Sequence, residues 1–405
     1  MQRNILIGAG VIVVIGLGVW AYFAFFTSAP SMTVAPSGSA SLPVAGQTAQ
    51  STTGSGTARG VVGQSLAPGT PVSVSARLVQ VSVGPVVPGE AVVDMKAINA
   101  SSSPEVAVNY IERGSGNVFT YLVRARTLTR VNNKTIPGLQ SATWLPDGSF
   151  AFVRYLSGAT FSTINTYALA ATSSAGFFLP QNISDINVSA AGLLTLASGV
   201  NGSAVSQSRV DGTHATTIFT TPLAAIRASY AGKGKYLVFT KSSASLDGDA
   251  FLTDSSGRLA RIAGPLSGLV ALASPSGKKV LISYVQGASM QMGLIDTTSG
   301  ATTVLPVATI ADKCVWAADD SAVYCGVPIS PDLSRAYPDE WYQGAVQFSD
   351  RIWKIDVAGR YAQLTLDFSQ ANKGELDAEA LAVDPLKATL VFVNKNDGSL
   401  WSYTL

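Results

Sequence analysis

The apolar positions of this chain fall into short β-like runs broken by Gly, Asp, Pro and Lys, and from residue 107 onward one unit recurs about seven times. Each unit is an apolar run, a tight polar turn and a second apolar run. The copies read VNYIERGSGNVFTYLV from Val108, ATWLPDGSFAFVRY from Ala142, INVSAAGLLTLAS from Ile186, ASYAGKGKYLVFTK from Ala228, ALASPSGKKVLISYV from Ala271, VWAADDSAVYCGV from Val315 and LAVDPLKATLVFVNK from Leu381. The turns near Gly148, Gly192, Gly234, Gly277 and Asp320 recur at a spacing of about 42 to 44, the length of one four-stranded propeller blade. A lone unit would leave its apolar faces in water, and radial stacking covers them. The pattern predicts an all-β fold, a seven-bladed β-propeller, with six or eight blades left open by the compressed first interval from Gly116 to Gly148.

Within a blade, ATW, INVS, RASY, ALAS, CVW and ALAV read as inner strands, and FAFV, LLTLA, YLVF, VLIS, AVYC and TLVFV as second strands. FLTD, GLID and IWKID read as third strands, and RLARI, TTVLP and YAQLT as outer ones. The last copy ends at LWSYTL, one strand short. An isolated β-like run upstream, ARLVQVSV from Ala76 to Val83, is the natural donor of the missing strand. The propeller is therefore expected over 76–405, closed by strand 76–83 pairing with the C-terminal blade.

Upstream of the repeats the pattern changes twice. The run from Ile5 to Phe26 has no charged or strongly polar side chain. A transmembrane helix needs about 20 consecutive apolar residues, and this run supplies them. The run is longer than the apolar part of a cleaved signal peptide, which is about 7 to 15 residues, and it ends in Trp20, Tyr22, Phe23, Phe25 and Phe26. The expectation is an uncleaved anchor at 5–26. Arg3 precedes it and no charge follows until Arg59, so residues 1–4 are expected in the cytoplasm and the bulk of the chain outside the cytoplasmic membrane. Residues 27–75 are rich in Ser, Gly, Thr and Pro, nearly uncharged and without apolar period, and read as a disordered tether. As a random coil it would reach on the order of 35 to 40 Å.

Charge and cysteine content narrow the compartment and the partners. A net charge of +2 with 13% charged residues gives no footprint for nucleic acid. The cysteines Cys314 and Cys325 lie symmetrically about Asp319 and Asp320 in DKCVWAADDSAVYCGV. A hairpin closed there would set the two residues opposite each other across adjacent strands, within disulfide reach. A bridge suits an extracytoplasmic location.

The unit is kept most fully at Trp144, Pro146, Asp147, Gly148, Ala151 and Phe152. It resembles the WD40-like repeats of TolB-type bacterial propellers, over most of the chain from residue 107 onward and at the level of repeat pattern. The resemblance implies the fold. It implies little about function, because propellers host many unrelated activities.

Catalytic and metal signatures are nearly absent. His214 is the only imidazole, it lies in a turn, and no G-x-S-x-G elbow accompanies it. No Cys/His spacing fits zinc, and Asp247, Asp249 and Asp254 lack the full calcium-loop spacing. No cofactor, metal or catalytic residue is expected. One segment departs from the rhythm: the interval from Asp320 to the turn at Leu386 and Lys387 is half as long again as the others, with the excess in GVPISPDLSRAYPDEWYQGAVQFSD, Gly326 to Asp350. Long insertions on rigid scaffolds carry binding residues, so Tyr337, Asp339, Glu340, Trp341 and Tyr342 are the candidate binding set. Three uses are open. The aromatics could anchor an envelope protein or, if exposed and coplanar, a cell-wall glycan; Asp339, Glu340 and Asp350 could converge as acids of a glycan-acting hydrolase or lyase; or Trp341 and Tyr342 could seal the loop onto its blade.

Overall fold

A computed structural model describes residues 72–73, 77–95, 104–371 and 374–405. The expected anchor at 5–26 and most of the expected tether at 27–75 lie outside the described residues. Among the described residues no helix is long and apolar enough to cross a membrane.

The repeats form seven antiparallel sheets, each one blade. Blade 1 holds strands Ala91–Met95, Glu105–Ile111, Val118–Leu122 and Thr127–Asn132. The inner strands of the next six blades are Leu139–Trp144, Asp185–Ser189, Ile226–Tyr230, Val270–Ala273, Cys314–Trp316 and Ala378–Val383. Each blade packs beside the next, and the seventh returns to the first. This count rules out the six- and eight-bladed alternatives.

Burial explains the sequence pattern strand by strand. A second strand is covered on both faces by neighbouring blades, so it reads as a continuous apolar run: Ala322–Pro328 and Thr389–Asn394 are buried throughout. Outer strands meet solvent, as in Thr127–Asn132, where only Asn132 is buried. The inner strands are tied across blades by side chains as well as by packing. Trp144 Nε1 donates to the Gly89 carbonyl at 3.1 Å, and Trp316, at the equivalent place in blade 6, donates to the Leu272 carbonyl at 3.3 Å.

The tight turns are where neighbouring blades approach most closely. Gly277 has φ 72°, and a Cβ there would lie 1.9 Å from the Ala231 carbonyl oxygen of blade 4, so only glycine fits. Blade 6 places Asp320 at the corresponding turn with φ 60°. Its carboxylate accepts from the Ser276 N–H at 3.1 Å and from the Ser274 hydroxyl at 2.8 Å, linking blades 5 and 6.

One expectation needs correction. The hairpin of the first copy, from Val108, joins the second and third strands of its blade, not the inner and second; the inner strand is Ala91–Met95. Every antiparallel hairpin uses the same Gly-rich turn chemistry, so the turn at Gly116 could not disclose its place in the blade. The short first interval is that one-strand shift.

The seventh blade supplies Ala378–Val383, Thr389–Asn394 and Leu400–Thr404, and Leu78–Gln80 completes it. Leu78 pairs with Tyr403, Val79 with Ser402 and Gln80 with Trp401. Leu78 and Val79 are buried by this pairing, and Val72–Ser73 adds a fifth strand outside, with Val72 beside Gln80. Because strands alternate in direction, each blade begins its inner strand, ends its second and begins its third at one end of the ring. That end is called the insertion end, because the loop between Pro328 and Asp350 lies there; the inner-to-second turns lie at the opposite, hairpin end.

Candidate functional site

Residues 329–349 leave the second strand of blade 6 and return as its third strand, Asp350–Asp356. Between these points the chain runs laterally over the insertion end of its neighbours instead of projecting away. Local turn chemistry starts it: Asp332 Oδ1 accepts from the Ser334 N–H at 2.9 Å and hydroxyl at 2.7 Å, and Arg335 bridges Asp332 and Glu340. A single helical turn, α1 (Asp339–Tyr342), follows.

The side chains of α1 and its neighbours tie the strap to other blades. Asp339 Oδ2 accepts from the Ala244 N–H of blade 4 at 3.0 Å. Tyr342 donates its hydroxyl to Asp312 Oδ2 at 2.7 Å, and the same oxygen receives Arg227 of blade 4 at 2.6 Å. The Asp312 carboxylate pushes the Arg227 guanidinium further above its already high range. Above blade 5, the Tyr337 carbonyl sits so close to Gly268 that a Cβ there would be 2.9 Å away. Trp341 donates to Asp377 Oδ2 of blade 7 at 3.0 Å. Its ring stacks on Phe348 with a 15° interplanar angle, and Phe348 packs against Tyr337. These three rings belong to the same buried cluster as the cores of blades 4, 5 and 6.

Beneath the strap lies a charge cluster that sequence reading did not find. Lys313 precedes the inner strand of blade 6 and is fully buried. Its Nζ lies 2.8 Å from Asp350 Oδ2, bonds Asp377 Oδ1, and donates to the Ala378 carbonyl at 3.0 Å. The Trp341 ring centroid is 4.9 Å from the same ammonium and the Phe348 centroid 5.1 Å, a distance at which ring quadrupoles attract a cation. Asp377 also accepts from the Phe348 N–H at 3.0 Å, and Asp350 accepts from the Ala378 N–H at 2.7 Å. Burial, only partly offset by Lys313, pushes the Asp350 carboxyl up to about 6. A single signal was available in the sequence: charged residues at 313 and 377 immediately before apolar inner strands, at a depth where a charge requires a partner.

This geometry assigns the candidate residues one by one. Of the candidate binding residues, Tyr337 and Trp341 are buried, their rings filling the gap between strap and ring, so that Trp341 seals the loop onto its blade, one of the uses left open by the sequence. Tyr342 is exposed on one side, but its ring is tilted 56° from that of Trp341, so the pair makes no flat platform for a sugar. Asp339, Glu340 and Asp350 do not converge: the first serves blade 4, the second accepts from Arg335 and the Ala336 N–H, and the third is enclosed with Lys313. Cys314 and Cys325 are paired in register and bonded. His214 is exposed in a turn and its Nδ1 contacts the Thr213 hydroxyl at 2.9 Å. A hollow of about 610 Å³, lined by Lys134, Tyr155, Tyr167, Phe161 and Phe178 on the flank of blade 2, also escaped the sequence. Its rings come from separate strands and loops.

The sequence matches no protein-family model and no curated protein. Solved structures share its architecture. An oligogalacturonate lyase in complex with manganese is 9% identical, with a TM-score of 0.55 over 83% of this chain and 95% of that one. An oligogalacturonate lyase from Vibrio parahaemolyticus is 8% identical, with a TM-score of 0.55 over 82% and 96%. TolB from Acinetobacter baumannii is 11% identical, with a TM-score of 0.43 over 67% and 78%. At these identities the likeness to the two lyases is one of fold. Among the described residues no group of three or more His, Cys, Asp or Glu side chains converges to hold a metal.

Proposed function

We propose that the chain is a membrane-anchored, extracytoplasmic propeller of the bacterial cell envelope that serves as a protein-binding or scaffolding module and not as an enzyme. The observation that carries this reading is the commitment of the insertion's acids. In glycoside-cleaving sites two carboxylates face one cleft; here Asp339 is bonded to blade 4, Glu340 to Arg335 of the strap itself and Asp350 to the buried Lys313. The strap therefore fixes a surface. It does not build a reaction centre. The cross-strand disulfide supports an oxidising compartment, and the long apolar run from Ile5 to Phe26 supports the anchor.

The test is photo-crosslinking in cells from single positions at both ends of the ring, Leu333 and Tyr342 on the strap and Lys233, Lys278 and Leu386 on the hairpin turns. The expected result is a discrete protein adduct from at least one position, in the membrane fraction. Absence of protein adducts from every position would overturn the scaffold reading. So would turnover of envelope polysaccharide by purified protein that is lost in Asp339→Asn or Glu340→Gln.

A further inference from the structure

The two ends of the ring differ in what they expose. At the hairpin end the turns present Asp147, Asp211, Lys233, Lys278 and Asp319 to solvent together with the exposed apolar side chains of Val210, Tyr361 and Leu386, and the insertion end carries exposed charge as well, at Arg113, Lys241, Asp247, Asp332 and Arg335. At the insertion end the loops joining second to third strands expose large apolar side chains on four blades. Phe161 of blade 2 is 68% exposed, Val200 of blade 3 is 99%, Leu246 of blade 4 is 70% and Leu333 of the strap is 56%. Single exposed apolar residues need no explanation; what sets these apart is that four side chains, each more than half exposed, stand on loops at the same end of the ring. Phe161 adds a second sign: it holds φ at 51°, a region unfavourable for an aromatic residue, and its ring gains little burial in return. Strain kept without a packing benefit points to use.

The described chain also begins at this end. Leu78–Gln80 runs toward the insertion end, and Val72–Ser73 pairs antiparallel to it with Val72 beside Gln80. The chain that precedes this strand includes the apolar run from Ile5 to Phe26.

We infer that the insertion end docks on the lipid bilayer, with Phe161, Val200, Leu246 and Leu333 entering the interfacial region as separate apolar prongs. The inference rests on the anchored reading given above. Each prong alone would hold the protein weakly. A tether makes docking intramolecular and raises the effective concentration of bilayer at the face, so weak contacts suffice. Docking would leave the hairpin end facing away from the membrane, free for partners. Because the prongs are apolar, the contact should persist at high salt.

The experiment uses the full chain reconstituted in phosphatidylcholine vesicles. Both native cysteines are bonded to each other, so an environment-sensitive fluorophore can be placed at Val200→Cys, Leu246→Cys or, at the hairpin end, Leu386→Cys. With nitroxide-bearing lipid, the first two labels should be quenched about twofold or more, with a blue shift, and the third should not. Adding Phe161→Asp and Leu333→Asp should abolish quenching at Val200→Cys while near-ultraviolet circular dichroism stays native. Co-flotation with vesicles without quenching would overturn docking and leave the anchor standing. Failure to co-float overturns both. A blue shift without quenching that grows with protein density assigns the face to a second copy, and overturns bilayer docking.

Discussion

Lys313 shows how much one buried ammonium can organise. It holds two carboxylates, a carbonyl and two aromatic faces, and those partners belong to the strap, blade 6 and blade 7. Removing one partner from a buried ion cluster leaves uncompensated charge, which destabilises by about 3–5 kcal/mol. Lys313→Met is expected to lower the free energy of unfolding in urea by that amount, and Lys313→Met with Asp350→Asn to recover part of it. Additivity of the two substitutions would show that the residues do not interact. A pH signature follows from Asp350 alone. Its pKa rises from 3.8 unfolded to about 6 folded, so the folded state favours the protonated carboxyl. The contribution is fully present below about pH 4 and is lost as pH rises to about 6. Wild-type protein should lose stability across that window relative to Asp350→Asn. Parallel curves would remove Asp350 as the titrating group. Beyond the charges at 313 and 377 standing just before apolar inner strands, the cluster was not legible in the sequence, because Lys313, Asp350 and Asp377 lie far apart along the chain and meet only when two blades and the insertion pack together.

At the scale of elements, the insertion was recognised by its length and aromatic content, and its role was not. Aromatic side chains in a loop look the same in sequence whether they face solvent or a neighbouring blade. Packing against blades 4 to 7 decided it. Trp341→Ala is expected to cost about 3–5 kcal/mol by cavity formation and to leave Asp377 short of a donor, with faster amide exchange across 329–349 than in the ring strands. Equal exchange in wild type and variant would show that Trp341 does not hold the strap. Tyr342→Phe removes one hydrogen bond to a carboxylate and is expected to cost about 1.5–3 kcal/mol at most. The disulfide is an element the sequence did disclose, since symmetry about Asp319 and Asp320 fixes which residues oppose each other. Cys314→Ser with Cys325→Ser should cost about 2–3 kcal/mol for so short a loop, read by the urea midpoint.

At the scale of the whole molecule, stability depends on closing the circle. Leu78–Gln80 is short, yet it covers the edge of Leu400–Thr404, and Leu78, Val79 and Val81 are buried there. The closure extends beyond the ladder, with the Leu400 N–H donating to the Ser82 hydroxyl at 2.8 Å and the Val81 N–H to the Leu400 carbonyl at 2.7 Å. A protein lacking residues 1–83 exposes that edge and parts blade 7 from its last strand. It is expected to aggregate or to melt more than about 10 °C lower, whereas Leu78→Ala should cost about 2–5 kcal/mol and keep the ring. An unchanged melting temperature after truncation would show that three strands suffice in blade 7.

What the sequence settled by itself was periodic: blade length, strand order, the missing last strand and its donor, and the cysteine pairing. These follow from local rules that repeat along the chain, namely alternation, apolar runs and turn residues, and repetition averages out the ambiguity of any one copy. What only the tertiary structure decided was not periodic. The phase of the first blade, the direction taken by the insertion, the Lys313 cluster and the unequal ends of the ring each depend on which distant segments come to lie side by side. That is fixed by the balance of burial and desolvation over the closed ring, a quantity no local stretch of residues contains.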